Sequence, residues 1–181
     1  MANINLGDIK RIVFDGDKEV TMPQGGGGVE LDDTSRIAGD VVLPDHVTSI
    51  GTYAFAGCSG LTSIVIPQGV TSIGERAFAG CSGLTSITIP QGVTSIGNYT
   101  FSRCSSLTHV EIGEGITSFR NNSFIFQHCT SLESVILPDS CTSVGNNMFL
   151  NAKPGFTLSV KEGTNVSMTG MPANVNIVYR P

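Results

Sequence analysis

The chain has no tryptophan and little charge: Lys and Arg number 10, Asp and Glu 15, and charged residues make up 14% of the total, for a net charge of -5. A protein that grips a phosphate backbone needs a basic stripe. No Lys/Arg cluster exists here, so nucleic acid is not an expected partner. No apolar run approaches the length that spans a bilayer, which argues against membrane insertion. The opening MANINLGDIKRIVFDGD lacks the basic start and the apolar stretch of a secretory leader. The 5 cysteines include no pair spaced for zinc, and an odd count fits a reduced core better than a disulfide framework. The tract Gln24-Gly25-Gly26-Gly27-Gly28 lacks the Lys-Ser/Thr of a phosphate-binding loop. His46, His109 and His128 stand in no nucleophile-base pattern, and there is no Gly-x-Ser-x-Gly elbow. The expectation is a protein that is not an enzyme, with no cofactor and no metal.

What fills the chain instead is repetition. Near-copies open at Val41 (VVLPDHVTSIGTYAFAGCSGLTS), Ile64, Ile87 and Val110, with a decaying fifth from Val135, and Cys58, Cys81 and Cys104 set the period at 23 residues. A fixed period of this kind makes each unit one rung of a solenoid, unable to bury its apolar face until a neighbour stacks on it. Within a rung, Ile64 and Ile66 alternate on a short strand that Pro67 ends; Val70 and Ile73 flank a second extended piece, and Gly74 turns the chain toward Ala77, Phe78 and Cys81. Stacking places equal letters about 4.8 Å apart. The columns then predicted are an aromatic spine (Phe55, Phe78, Phe101, Phe124, Phe149), an aliphatic spine (Ile50, Ile73, Ile96, Phe119, Val144), ladders of Thr and Ser hydroxyls, and a core of buried thiols. Ala38 takes the place of Leu in the first rung. The fourth rung departs from the rest: Gly113 replaces Pro, Phe119-Arg120 replaces Ile-Gly, and Phe124 to Cys129 runs two residues long, so a bulge is expected.

The fold class is therefore mainly β, a curved solenoid of about six rungs. Ile12–Phe14 and Glu19–Met22 read as an N-terminal β-hairpin, and Val175, Ile177 and Tyr179 alternate as a C-terminal capping strand. Three regions follow: 1-28, the hairpin and a Gly-rich hinge serving as cap or attachment segment; 29-160, the solenoid; and 161-181, the C-terminal cap.

The motif LTSIxIPxxVTSIGxxAFxGC, in register over about residues 38 to 160, resembles the BspA-type leucine-rich repeat family. That resemblance implies display on a bacterial or protozoan cell surface and binding of host proteins and cells. The segment INLGDIKRIVFDGDKEV is similar to short starting segments of tailed-bacteriophage virion proteins, which implies the alternative of a decoration or fibre protein, homo-oligomeric and anchored by residues 1 to 28. Either way, function would reside in the outward face of the sheet, where Val42, Val65, Thr88, Glu111 and Ile136 are flanked by Ser63, Ser86, His109 and Ser134. His109 and Glu111 share one strand face and mark its most individual spot. A protein or cell-surface receptor is the expected partner of this surface, which has no aromatic platform; a glycan is the alternative.

Overall fold

The computed structural model describes residues 3–4, 12–14, 18–20, 37–43 and 45–181. The Gly-rich tract and Thr21–Met22 lie outside them. Among the described residues the chain is all β: β1 Asn3–Ile4, β2 Ile12–Phe14, β3 Lys18–Val20, β4 Ala38–Val42, β5 Ser49–Ile50, β6 Gly60–Val65, β7 Ser72–Ile73, β8 Ser86–Ile89, β9 Ser95–Ile96, β10 His109–Ile112, β11 Ser118–Phe119, β12 Ser134–Ile136, β13 Ser143–Val144, β14 Thr157–Lys161, β15 Asn165–Val166 and β16 Asn176–Arg180. Long and short strands alternate, one of each per rung. Long strands stack only on long ones and short on short, in parallel, through the six rungs from β4–β5 to β14–β15. The hairpin β2–β3 exists, and β2 also pairs antiparallel with β4, against the first rung.

The local chemistry explains each side of the rung. In β8 and β10, exposed and buried residues alternate strictly, so Ile87 and Ile89, then Val110 and Ile112, enter the core while their neighbours meet solvent. On the side opposite the long strands, Phe55, Phe78, Phe101, Phe126 and Phe149 are fully buried and stacked at centroid spacings of 5.2, 5.4, 5.5 and 5.4 Å. The spine thus uses Phe126 in place of the expected Phe124. The two extra residues lie upstream of Phe124, which aligns with Tyr99 of the rung before and stacks on it at 5.0 Å, leaving the core slot to the residue two further on. Three of the thiols donate to the Phe carbonyl one rung back: Cys81 Sγ to Phe55 O at 3.1 Å, Cys104 to Phe78 O and Cys129 to Phe101 O at 3.2 Å. The threonine ladder works likewise through backbone carbonyls, with Thr71 Oγ1 donating to Thr48 O and Thr94 Oγ1 to Thr71 O, both at 3.3 Å.

Two details at the ends differ from expectation. A β-bulge between Gly39 and Asp40 shifts the first rung, so Ile37, 1% exposed, fills the core while Ala38 is half-buried. At the far end β16 pairs with β14, yet Tyr179 remains 55% exposed because no described rung stacks beyond it.

Both ladders are interrupted. The long-strand ladder divides between β6 and β8, where Thr85 N and Thr85 Oγ1 both donate to Thr62 O, at 3.3 and 3.5 Å. The short-strand ladder divides between β9 and β11. A column of residues facing the preceding rung accounts for the second break. A Cβ on Gly74 would lie 2.5 Å from Thr52 N, one on Gly97 2.4 Å from Glu75 N, and one on Gly145 2.4 Å from Arg120 C. Only glycine permits such an approach. The fourth rung puts Arg120 into this column, and the side chain that the neighbouring rungs exclude holds the ladder open.

Candidate functional site

The outward face of the long strands carries every expected binding residue. Within one sheet, Ser86, His109 and Ser134 are laterally paired, and so are Thr88, Glu111 and Ile136. Ser63 and Val65 sit on β6, across the break. Val42, Val65 and Ile136 are exposed by 45%, 56% and 38%, an apolar scatter among hydroxyls. A cleft of about 290 Å³ follows the break, lined by Ser63, Val65, Gln68, Ser86 and Thr88. The eight residues therefore share one face, as two groups on either side of a seam.

The charges on that face pair differently from the simple His109–Glu111 expectation. His109 Nδ1 lies 2.8 Å from Thr108 Oγ1, and its Nε2 lies 3.9 Å from Glu133 Oε2; Lys153 Nζ lies 3.4 Å from the other oxygen of Glu133. The row Thr–His–Glu superficially suggests a catalytic relay. Thr108, however, spends its only proton on Thr85 O at 2.9 Å. His109 must then be the donor to Thr108 and cannot act as a base toward it. The exposure of His109 and Glu133, 62% and 52%, also removes the low-dielectric setting such a relay needs. At the other end, Asp40 Oδ1 accepts from Ser63 Oγ at 2.6 Å and Thr62 Oγ1 at 2.9 Å, and these hydroxyls hold its carboxyl below the usual range.

Sequence reasoning missed Glu133 and Lys153, which extend the His109 spot into a charged row. The signal was available: Glu133 breaks a column of threonines formed by Thr62, Thr85 and Thr108. It also missed an aromatic ladder, which lies on the turn side of the rungs. The Arg76 guanidinium stands 5.7 Å from the Tyr53 ring centre and 4.6 Å from that of Tyr99, donates to Tyr53 Oη at 2.7 Å, and pairs with Glu75 at 2.9 Å. Tyr53, Arg76, Tyr99 and Phe124 all hold left-handed backbone angles, φ of 51 to 60°. Tyr99 is covered on both faces, by Arg76 and Phe124, while Tyr53 and Phe124 at the ends of the ladder are each covered on one. The cysteines are buried and unpaired. Burial pushes the Cys129 thiol up to about 12 and that of Cys104 well above its ordinary value, so neither is poised as a nucleophile; Cys58, whose thiol a bond with Cys81 lowers, is completely buried. No group of His, Cys, Asp and Glu that could hold a metal ion occurs among the described residues. No helix among them is long and apolar enough to cross a membrane.

A parallel coil in which one short repeat makes one rung, its core built of stacked columns of equal residues, defines a leucine-rich-repeat solenoid. The model of the BspA type Leucine rich repeat region matches residues 35–154 in six copies, and the chain belongs to that family. Among solved structures, the T. pallidum leucine-rich repeat protein TpLRR is similar at 26% identity and a TM-score of 0.59, over 77% of this chain and 73% of that one. A leucine-rich repeat protein from Eubacterium ventriosum shares the fold at 21% identity and a TM-score of 0.57; 78% of this chain aligns with 44% of that chain. No curated protein matches the sequence.

Proposed function

We propose that this chain is a non-catalytic adhesion module, displayed on a cell surface, that binds another protein through the outward face of its long strands. The observation that carries this reading is the collection of Ser63, Val65, Ser86, Thr88, His109, Glu111, Ser134 and Ile136 on one side of the solenoid, in two sheets, a pattern repeated rung by rung and individualised at Asp40 and at the His109–Glu133–Lys153 row. A repeated polar surface with scattered apolar groups suits a non-obligate protein contact, whose area is only about as apolar as ordinary surface. The long, laterally stacked face is also the usual binding surface of solenoids. Surface display rests on the family, whose members are found mainly on cell surfaces.

The test compares wild type with His109→Ala/Glu111→Ala on arrays of immobilised extracellular proteins and of glycans. Protein partners that lose at least tenfold in affinity in the double variant, at unchanged thermal unfolding, support the reading. Binding confined to glycans, or protein binding that the variant leaves intact, overturns it.

A further inference from the structure

We infer that Arg103 and His128, on neighbouring rungs, form a site for a phosphate or sulfate monoester carried on a side chain of a partner protein. Each rung turns toward its next long strand through a corner that holds a left-handed backbone angle. Two rungs fill that corner with glycine, Gly57 at φ 76° and Gly80 at φ 77°, the residue that adopts this angle without strain. The next two place Arg103 at φ 63° and His128 at φ 59° in the same column, where Arg103 N donates to Gln127 O at 2.8 Å just as Gly80 N donates to Ser102 O at 2.8 Å. Histidine enters this region more readily than most residues; arginine does not, and such outliers cluster at ligand sites. Among the described residues neither side chain makes a hydrogen bond or an ion pair, so no polar contact within the fold accounts for the two exchanges.

The two basic residues line one open cleft of about 450 Å³, completed by Ser105 and Thr130. Arg103, Ser105 and Thr130 are exposed and His128 is half-buried, so all four are within reach of a ligand. Each hydroxyl stands two residues beyond the basic group of its own rung, and the cleft therefore holds the same basic-plus-hydroxyl unit twice. No acid offsets it. Residues 99–108 and 124–132 contain neither Asp nor Glu, and the segments stacked on either side, 76–84 and 147–154, add only Arg76 and Lys153, which are already engaged by Glu75 and Glu133. In a chain of net charge -5 the spot is cationic by local arrangement alone, which suits capture of one anionic group and not of a polyanion. Its donors are a guanidinium fork, an imidazole N–H and two hydroxyls. Arginine meets the oxygens of such a group two at a time, and the remaining donors match the three terminal oxygens of a phosphate or sulfate ester better than the two of a carboxylate. A shallow cationic spot of this kind takes the charged end of a side chain. No ring other than the imidazole lines the cleft for a sugar to stack on, which favours a protein carrier over a glycan.

The probes are a short tyrosine peptide in phosphorylated, sulfated and plain forms, inorganic phosphate, inorganic sulfate and a sulfated disaccharide. Each is titrated into the full chain at about physiological salt, so that exposed charges are screened, and followed through the NMR signals of the Arg103 and His128 side chains. At least one modified peptide should bind tenfold more tightly than the plain peptide and the free ions, and the order of the two tells which ester the site takes. The variants Arg103→Gly and His128→Gly restore the residue found at Gly57 and Gly80. Both should melt no lower than wild type, because the strained residue is gone, and the arginine variant should bind the modified peptide at least tenfold more weakly. Failure of both modified peptides to bind, or equal binding by Arg103→Gly, overturns the proposal. Glycine variants that melt lower than wild type also overturn it, since the two side chains would then serve the fold. Tightest binding of a free ion or of the sulfated disaccharide overturns the protein-borne ester. Because this cleft shares no residue with the long-strand face, its failure leaves that reading standing.

Discussion

Phe126 and Phe124 lie two residues apart in the fourth rung, and replacing each with alanine separates the observed register from the one that counting repeats suggests. Phe126 is completely buried between Phe101 and Phe149, at 5.5 and 5.4 Å. Removing such a ring leaves a cavity that flanking rungs cannot close without breaking their own ladder bonds, so the loss should be about 3–5 kcal/mol. Phe124 is half-exposed and keeps one stacked partner, Tyr99. Its loss should cost about 1 kcal/mol, the worth of an aromatic pair. For a chain of this length each kcal/mol moves Tm by about 2–4 °C, so the shifts should be about 6–20 °C for Phe126→Ala and about 2–4 °C for Phe124→Ala. Urea melts followed by far-ultraviolet circular dichroism, checked by thermal scans, measure both. Equal costs, or a larger one for Phe124→Ala, would refute the assignment of the two inserted residues and the spine built on it.

The remaining predictions concern the thiols, the rung spacing and one turn. All five cysteines should react slowly with a thiol reagent until denaturant is added; immediate labelling of Cys81, Cys104 or Cys129 would contradict their burial. The Cys129 thiol is raised from 9.0 to about 12, so the folded state keeps a proton that the unfolded state releases; stability is full below about pH 9 and falls by about 4 kcal/mol as the pH approaches 12, less steeply in Cys129→Ala, as urea melts across that window would show. Gly97→Ala sets a Cβ 2.4 Å from Glu75 N and should cost about 1–3 kcal/mol in thermal unfolding; a neutral result would mean that the glycine column does not set the spacing. Glu114 accepts from the Asp139 and Ser140 amides at 2.8 and 2.9 Å, and the Asp139 bond foremost holds its carboxyl below the ordinary 4.5; its contribution is present above that pH and lost as the pH falls, so Glu114→Gln should flatten the acid limb of the stability profile.

The period, the parallel stacking, the buried Ile, Leu and Cys columns and the outward face were legible because each rests on a repeated side-chain pattern whose physics is local to one rung. The hairpin was legible for the same reason, through Ile12–Phe14. What escaped depends on relations between rungs. Phe124 and Phe126 carry the same letter, and only the pairing of Phe126 N with Met148 O reveals which one holds the core register. Ile37 replaces Ala38 because of a bulge that no residue announces. Glu133 and Lys153 were visible as departures from their columns, but their approach to His109 depends on which side chains meet across strands. Arg120 was noticed as a substitution. Its effect follows only from the distance at which one rung's backbone passes the next.

That passing distance separates the core from the seams between rungs in a way that bears on how such arrays diversify. Because the core columns do not contain position 120, a change from glycine there leaves the folding units intact while altering how two of them meet. Duplication of rungs can then lengthen the array at little risk, and single-codon changes along the glycine column can decide where it opens. In this chain the opening is written once, in the fourth rung.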